Sequence, residues 1–170
     1  ESFVYLGDTA RLPYGTKTAA TVRRYALNAA AHLAGRGIKL LVIACNTASS
    51  YALEAVADAS HVPVLGVVRP GVRAALLTGA GRIGVIGTEG TVRSESYQKA
   101  LSGLGSAIEV MATPCPLFVP LAEEGWGDHP ITDQIARHYL RPMLAWGAEA
   151  IILGCTHYPL LRPSLERVVG

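Results

Sequence analysis

Residues 147–161 read GAEAIILGCTHYPLL, and their plan repeats that of residues 37–47, GIKLLVIACNT. In each stretch a glycine opens a short polar step, an apolar run follows, and the run ends in Cys-Thr-His or Cys-Asn-Thr. A continuous run rich in Ile, Leu and Val suits a strand buried on both faces of a parallel sheet. Cys45 and Cys155 then stand at the carboxyl ends of their strands, the edge of an open α/β sheet where ligands bind. The repeat predicts a site made of two half-sites, each contributing one thiol.

Strand and helix alternate on either side of these runs. FVYLG, residues 3–7, reads as a strand with Asp8 at its exit, followed by a loop rich in Gly and Pro that extends to Gly15. Val22, Tyr25, Ala26, Ala29 and Leu33 recur at helical spacing, which predicts a helix over 16–35 with Thr16 or Thr18 as its cap. The first cysteine strand leads to a predicted helix over 48–59, a strand over 64–68 and a helical crossing that ends near Arg82. Within that crossing GAGRIG, residues 79–84, matches the glycine pattern of dinucleotide-binding turns. That turn needs its strand before the glycines, whereas here the strand follows them, so the match is rejected.

Beyond it the pattern predicts a helix from Thr91 to Leu104 and a strand over 108–112. TPCPLFVPLAEEGWGDHP, residues 113–130, reads as a long loop with at most a short helix, carrying Glu123 and Glu124. A helix over 131–146, kinked at Pro142, and a last helix over 160–169 flank the second cysteine strand. The expected fold is α/β, with two pseudo-symmetric parallel-sheet domains and the active site between them. Residues 1–68 form the first domain with Cys45, and residues 69–170 the second with Cys155.

Half of the 170 residues are hydrophobic, enough to bury a core. No apolar run reaches the length of a membrane span, and no secretory signal opens the chain. The net charge is +2 and the 15 Lys and Arg are scattered, which leaves no electrostatic footprint for nucleic acid. A soluble, cytoplasmic protein is the expectation. The three cysteines are odd in number and widely spaced, so they do not read as a disulfide framework. Residue 1 is Glu and a strand pattern begins by residue 3, so the chain is expected to be a piece of a longer protein.

Two thiols facing each other across a cleft permit a specific reaction. One thiolate removes a proton from one face of a carbon while the other thiol supplies a proton to the opposite face, and the centre inverts. A cationic neighbour or a helix amino terminus lowers a thiol pKa toward neutrality, and both cysteines precede expected helix starts. Asp8, Glu123 and His157 are candidates to tune the thiols. Pyridoxal phosphate would need a Schiff-base lysine, and Lys17, Lys39 and Lys99 all fall at helix starts or surfaces, so no such cofactor is expected. A zinc site of the three cysteines and His157 would lack a Cys-x-x-Cys pair. A cysteine hydrolase would leave the second thiol without a role. Cys115, between two prolines, reads as packing, and His32, His61, His129 and His138 as solvated or locally bonded.

Residues 44–49 (ACNTAS), 154–161 (GCTHYPLL), 7–15 (GDTARLPYG) and 116–125 (PLFVPLAEEG) together resemble the bacterial glutamate racemases, of the aspartate/glutamate racemase family. The resemblance runs along essentially the whole chain. It implies a cofactor-independent enzyme without metal that interconverts L- and D-glutamate and supplies D-glutamate for peptidoglycan. It implies that Cys45 and Cys155 are the acid/base pair, with Asp8, Glu123 and His157 assisting. Tyr14, Gly15, Asn46, Thr47, Thr156 and His157 match substrate contacts, with Thr91 a candidate for the side-chain carboxylate. His157 stands where aspartate racemases typically carry Glu, which favours glutamate, and the family's usual dimers imply a homodimer. The resemblance also implies an Asp-Ser-Gly strand before residue 1 and further chain after residue 170. A non-catalytic binding module or an inactive fragment of the racemase is therefore carried as the reading of another class.

Overall fold

A computed structural model of the chain describes residues 2–103 and 108–170. After a 3-10 turn at Thr9–Arg11 come helix α1 (Ala19–Ala34), strand β1 (Leu41–Ile43), helix α2 (Asn46–Ala59) and strand β2 (Val64–Gly66). β1 and β2 pair in parallel, Leu41 opposite Val64. Val22 and Ala26 of α1 are buried, and Ala26 packs with Leu41, Ala52 and Val56 in one apolar cluster. Thr18 caps α1 by accepting from the Thr21 N–H, which satisfies one of the free amides of its first turn.

Helix α3 (Val68–Leu76) leads to β3 (Arg82–Gly87), α4 (Glu89–Arg93) and α5 (Ser96–Ser102). Then follow β4 (Glu109–Pro114), α6 (Phe118–Glu123), α7 (Pro130–Trp146), β5 (Ala150–Gly154), a 3-10 turn at Tyr158–Leu161 and α8 (Arg162–Val169). The second sheet has the order β4-β3-β5, all parallel. β3 is its centre and Ile83 to Gly87 are all buried, which accounts for the unbroken apolar run in RIGVIG. Two clusters cover its faces, one around Phe118, Leu140, Met143 and Tyr158, the other around Val72, Tyr97, Leu101 and Ile152. The chain is thus α/β with parallel sheets. Among the described residues no helix is long and apolar enough to cross a membrane.

Several elements differ from expectation. No strand forms over 3–7: the segment is irregular, and Phe3 and Tyr5 are exposed because no ladder partner runs beside it among the described residues. The strand expected over 64–68 ends at Gly66, and Val68 already begins α3. α2 starts at Asn46 instead of residue 48, so both polar residues after Cys45 belong to its first turn. The single helix expected from Thr91 is two helices, broken at Glu95, whose φ of 56° lies in the left-handed region. A residue with a Cβ pays about 1 kcal/mol there. The expected end of that helix at Leu104 lies outside the described residues. The proline-rich segment 113–130 holds one short helix, as the reading allowed, and Glu123 is its last residue. Pro142 lies inside α7 as expected.

Gly147 ends α7 with a φ of 83°, which turns the chain directly into β5. Gly84 meets a different requirement: a Cβ there would lie 2.2 Å from the Sδ of fully buried Met143. Gly84→Ala is therefore expected to destabilise the fold by about 1–3 kcal/mol in urea unfolding with an unchanged m-value. Unaltered stability would show that the strand and α7 can separate freely.

Candidate active site

The carboxyl ends of three strands converge on one cleft. Cys45 follows β1, Thr88 follows β3 and Cys155 follows β5, and all three line a cavity of about 1560 Å³ that extends along α1 and β1. Asp8, Tyr14, Gly15, Asn46, Thr47, Glu123, Thr156 and His157 line it too. Every candidate named from the sequence except Thr91 thus borders one space, and Thr91 lies just behind it. Cys115 does not: it is fully buried in the core beside Phe118 and Tyr158, and Tyr158 Oη donates to its carbonyl at 2.9 Å. Among the described residues no three His, Cys, Asp or Glu side chains gather into a group able to hold a metal ion.

Cys45 is the N-cap of α2 and is partly buried. Burial pushes its thiol pKa up, against the backbone amides of Ala48 and Thr47 and the Thr47 hydroxyl, which favour the thiolate. Cys155 is buried, and its thiol is pushed up to about 11 by burial, against the amides of His157 and Tyr158 and with a further upward contribution from charge on Cys45. The expected lowering of both thiols is thus reversed. Desolvation outweighs the amide donors, and a 3-10 turn at Tyr158–Leu161 stands between Cys155 and α8, the helix expected after it. Both thiols are therefore protonated at neutral pH.

Cys155 has a proton acceptor at hand. Its Sγ lies 3.7 Å from His157 Nδ1, and His157 Nε2 lies 3.4 Å from Glu123 Oε1. With Nε2–H directed at the carboxylate, the Nδ1 lone pair faces the thiol. Among the described residues Cys45 has no equivalent. Asp8 accepts from Tyr14 Oη and, at 2.8 Å, from Arg11 Nε, and none of its hydrogen bonds reaches Cys45. Burial opposes ionisation of Asp8, but the Tyr14 and Arg11 donors outweigh it and hold the carboxyl below its usual range. Charge on Cys45 makes a small contribution to raising the Tyr14 hydroxyl pKa, after burial and Asp8.

Three hydroxyls close the floor. Thr47 Oγ1 lies 2.9 Å from Thr88 Oγ1 and 3.2 Å from Thr91 Oγ1, and the last two are 3.1 Å apart. Gly15 is buried against Thr88, with no room for a Cβ, and its carbonyl accepts from the Gly90 N–H at 2.8 Å. Asn46 is buried and accepts from Tyr97 Oη at 2.6 Å. Sequence reasoning missed Thr88 and Tyr97. Thr88 carried a usable signal, since it directly follows a buried strand at the same edge as the cysteines. Tyr97 carried none, because only the break at Glu95 turns it toward α2.

The Asp/Glu/Hydantoin racemase family matches residues 3–170 of the chain. A glutamate racemase of Geobacter metallireducens is 53% identical over 171 residues, covering 100% of this chain and 63% of that protein. The chain therefore spans less than two thirds of the length of such curated relatives. The crystal structure of the glutamate racemase isoform RacE1 from Bacillus anthracis superposes with a TM-score of 0.92 at 38% identity, covering 96% of this chain and 62% of that one. That of the glutamate racemase from Francisella tularensis, in complex with D-glutamate, gives 0.89 at 38% identity, over 95% and 61%.

The raised Cys155 thiol has a measurable consequence. Its thiolate fraction, and with it the rate of alkylation by iodoacetamide, is expected to climb about tenfold per pH unit between about pH 7 and about pH 10. Peptide mass spectrometry follows the modification at Cys155 separately from the other thiols. A plateau reached below about pH 8.5, the ordinary thiol pKa, would contradict the desolvated site.

Proposed function

Because this chain belongs to the Asp/Glu/Hydantoin racemase family, we propose that its protein is a glutamate racemase, interconverting L- and D-glutamate by acid/base catalysis between Cys45 and Cys155. The single observation that carries the reading is the pair of thiols on the carboxyl ends of β1 and β5, lining one cleft. Either thiol is a base when ionised and an acid when protonated, so the pair serves both directions by exchanging roles.

One thiolate takes the α-proton, breaking the C–H bond, and the other thiol gives its proton to the opposite face. The α-proton is a very weak acid, so the transient carbanion depends on fixed donors around the α-carboxylate. Asn46, Thr47 and Thr156 supply them, with the amino end of α2 beneath. Tyr14, Gly15 and the Thr88/Thr91 pair receive the side-chain carboxylate. The raised thiol values fit this scheme: burial holds a thiol neutral, and a substrate ammonium group beside it favours the thiolate. On the Cys155 side His157 takes the proton and Glu123 steadies the resulting imidazolium. On the Cys45 side Asp8, its carboxylate held by Tyr14 and Arg11, receives the ammonium group.

These residues need no carbonyl cofactor. Lys17 and Lys99 do not line the cleft, and Lys39 lies before β1, at the end opposite Cys45. A homodimer, a cytoplasmic location and a role in supplying D-glutamate for peptidoglycan belong to the same proposal. So does a division of the chain into a Cys45 half over 1–68 and a Cys155 half over 69–170.

Circular dichroism of L- and D-glutamate with the full-length protein tests the reading. Cys45→Ser and Cys155→Ser are each expected to lower racemisation by about 10²–10⁴-fold, the range of a positioned acid or base. Product formed in D₂O should carry solvent deuterium at the α-carbon. Racemisation that survives either substitution unchanged rules out the two-thiol scheme.

His157→Asn gives a finer test. The equilibrium constant between enantiomers is unity by symmetry, so kcat/KM stays equal in both directions whatever the variant. The asymmetry is instead expected in the primary isotope effect with α-deuterated substrate, which should grow for the enantiomer whose α-proton faces Cys155. Equal effects for both enantiomers would remove His157 from the Cys155 step.

A further inference from the structure

Asn46 is a donor only if its carboxamide is turned the right way, and the side chain alone does not decide this. Rotation by half a turn about its last bond exchanges Oδ1 for Nδ2 at little change of shape. Presenting oxygen to an anionic group would repel it. Tyr97 decides the orientation. It comes from α5, on the second sheet, and is 2% exposed, with its ring in a slot beside two glycines. A Cβ at Gly71 would lie 3.3 Å from Tyr97 Cε1 and Oη, and one at Gly154, the residue before Cys155, 3.3 Å from Cε2. Burial, with a contribution from Cys155, raises the Tyr97 hydroxyl to about 12, so it remains a donor at neutral pH. Its acceptor is Asn46 Oδ1 at 2.6 Å. Asn46 Nδ2 donates to no protein group among the described residues, and no fully buried side-chain polar atom is left unpaired there. The amide edge therefore opens on the cleft that Asn46 lines.

The break at Glu95 makes this possible. Thr91 and Tyr97 are six residues apart and on one continuous helix would point about 120° away from each other. With α4 and α5 separated by the left-handed Glu95, Thr91 meets Thr47 and Tyr97 meets Asn46, adjacent residues of the first turn of α2. Ser96 reinforces the turn by donating to Ser50 at 2.6 Å.

We infer that Tyr97 is a positioning residue of the site: its hydroxyl locks the Asn46 carboxamide with the N–H₂ edge facing the cleft, where that edge binds the α-carboxylate of the amino-acid substrate. This rests on the racemase reading for the substrate, though not for the lock itself. Tyr97→Phe removes one oxygen and keeps the packed ring. One lost neutral hydrogen bond predicts that KM for both enantiomers of glutamate rises about three- to tenfold, with kcat within about twofold of wild type. On an Asn46→Ala background the same substitution should raise KM no further. The side-chain ¹H–¹⁵N signals of Asn46, measured without substrate, should shift or exchange-broaden in Tyr97→Phe. They should move the opposite way when position 97 carries 3-fluorotyrosine, a stronger donor of nearly the same shape.

A role confined to packing predicts a lowered Tm with unchanged KM and unmoved Asn46 signals, and that result overturns the inference. If the wild-type protein does not racemise glutamate, the proposed function fails, while the Asn46 signals still decide whether Tyr97 sets the amide.

Discussion

The two sheets meet at the first turn of α2, and the hydrogen bonds made there hold the site together. Asn46 and Thr47 leave the first sheet as the opening residues of that helix. Thr88, Thr91 and Tyr97, all from elements that follow β3, receive them. Each of these bonds is worth only about 0.5–1.5 kcal/mol net, yet leaving one of these buried groups unpaired would cost more than the bond returns. The seam therefore favours one relative placement of the two sheets. That placement brings Cys45 and Cys155 to the same cleft. The strained backbone at Glu95 is best understood as the cost of reaching this seam with two side chains at once.

Within the cleft, desolvation and donation oppose each other. The amides after each cysteine favour a thiolate, as expected at the start of a turn or helix. Burial disfavours it more, and it holds both thiols in their neutral form at neutral pH. The two halves are unequal in what surrounds the sulfur. Cys155 has an imidazole backed by a carboxylate, whereas the groups that bear on Cys45 are the Ala48 and Thr47 amides and the Thr47 hydroxyl, donors alone among the described residues. The near repeat of GIKLLVIACNT in GAEAIILGCTHYPLL conceals this inequality. It arises from His157, which stands where the first copy has Thr47, and from the α6 residue Glu123, outside the repeated stretch.

Much of the fold was legible because its signals are local. An unbroken apolar run such as RIGVIG has one comfortable place, the middle of a covered parallel sheet, and the helical spacing in 16–35 admits little else. The errors fall where local signals are shared with something else. FVYLG has the composition of a strand, but a strand exists only when another pairs with it, and none does so among the described residues. Residues 91–103 have helical composition on both sides of Glu95, so nothing local announces a break that tertiary hydrogen bonding imposes. The short helix allowed within 113–130 could not be placed, because six residues among prolines and glycines leave almost no periodic trace.

By itself the sequence determined the alternation of strand and helix, the position of each cysteine at a strand's carboxyl end, and the reading of Cys115 as core. These follow from the order of side chains along a few residues, which no distant contact needs to supply. Only the tertiary structure decided that Thr88 and Tyr97 belong to the site, that Asp8 holds Tyr14 and Arg11 instead of a thiol, and that both thiols are raised. Those outcomes depend on which groups lie within a few ångströms across the chain and on how much water is excluded between them. Burial and through-space partners are properties of the assembled fold, and a thiol's ionisation is set by both.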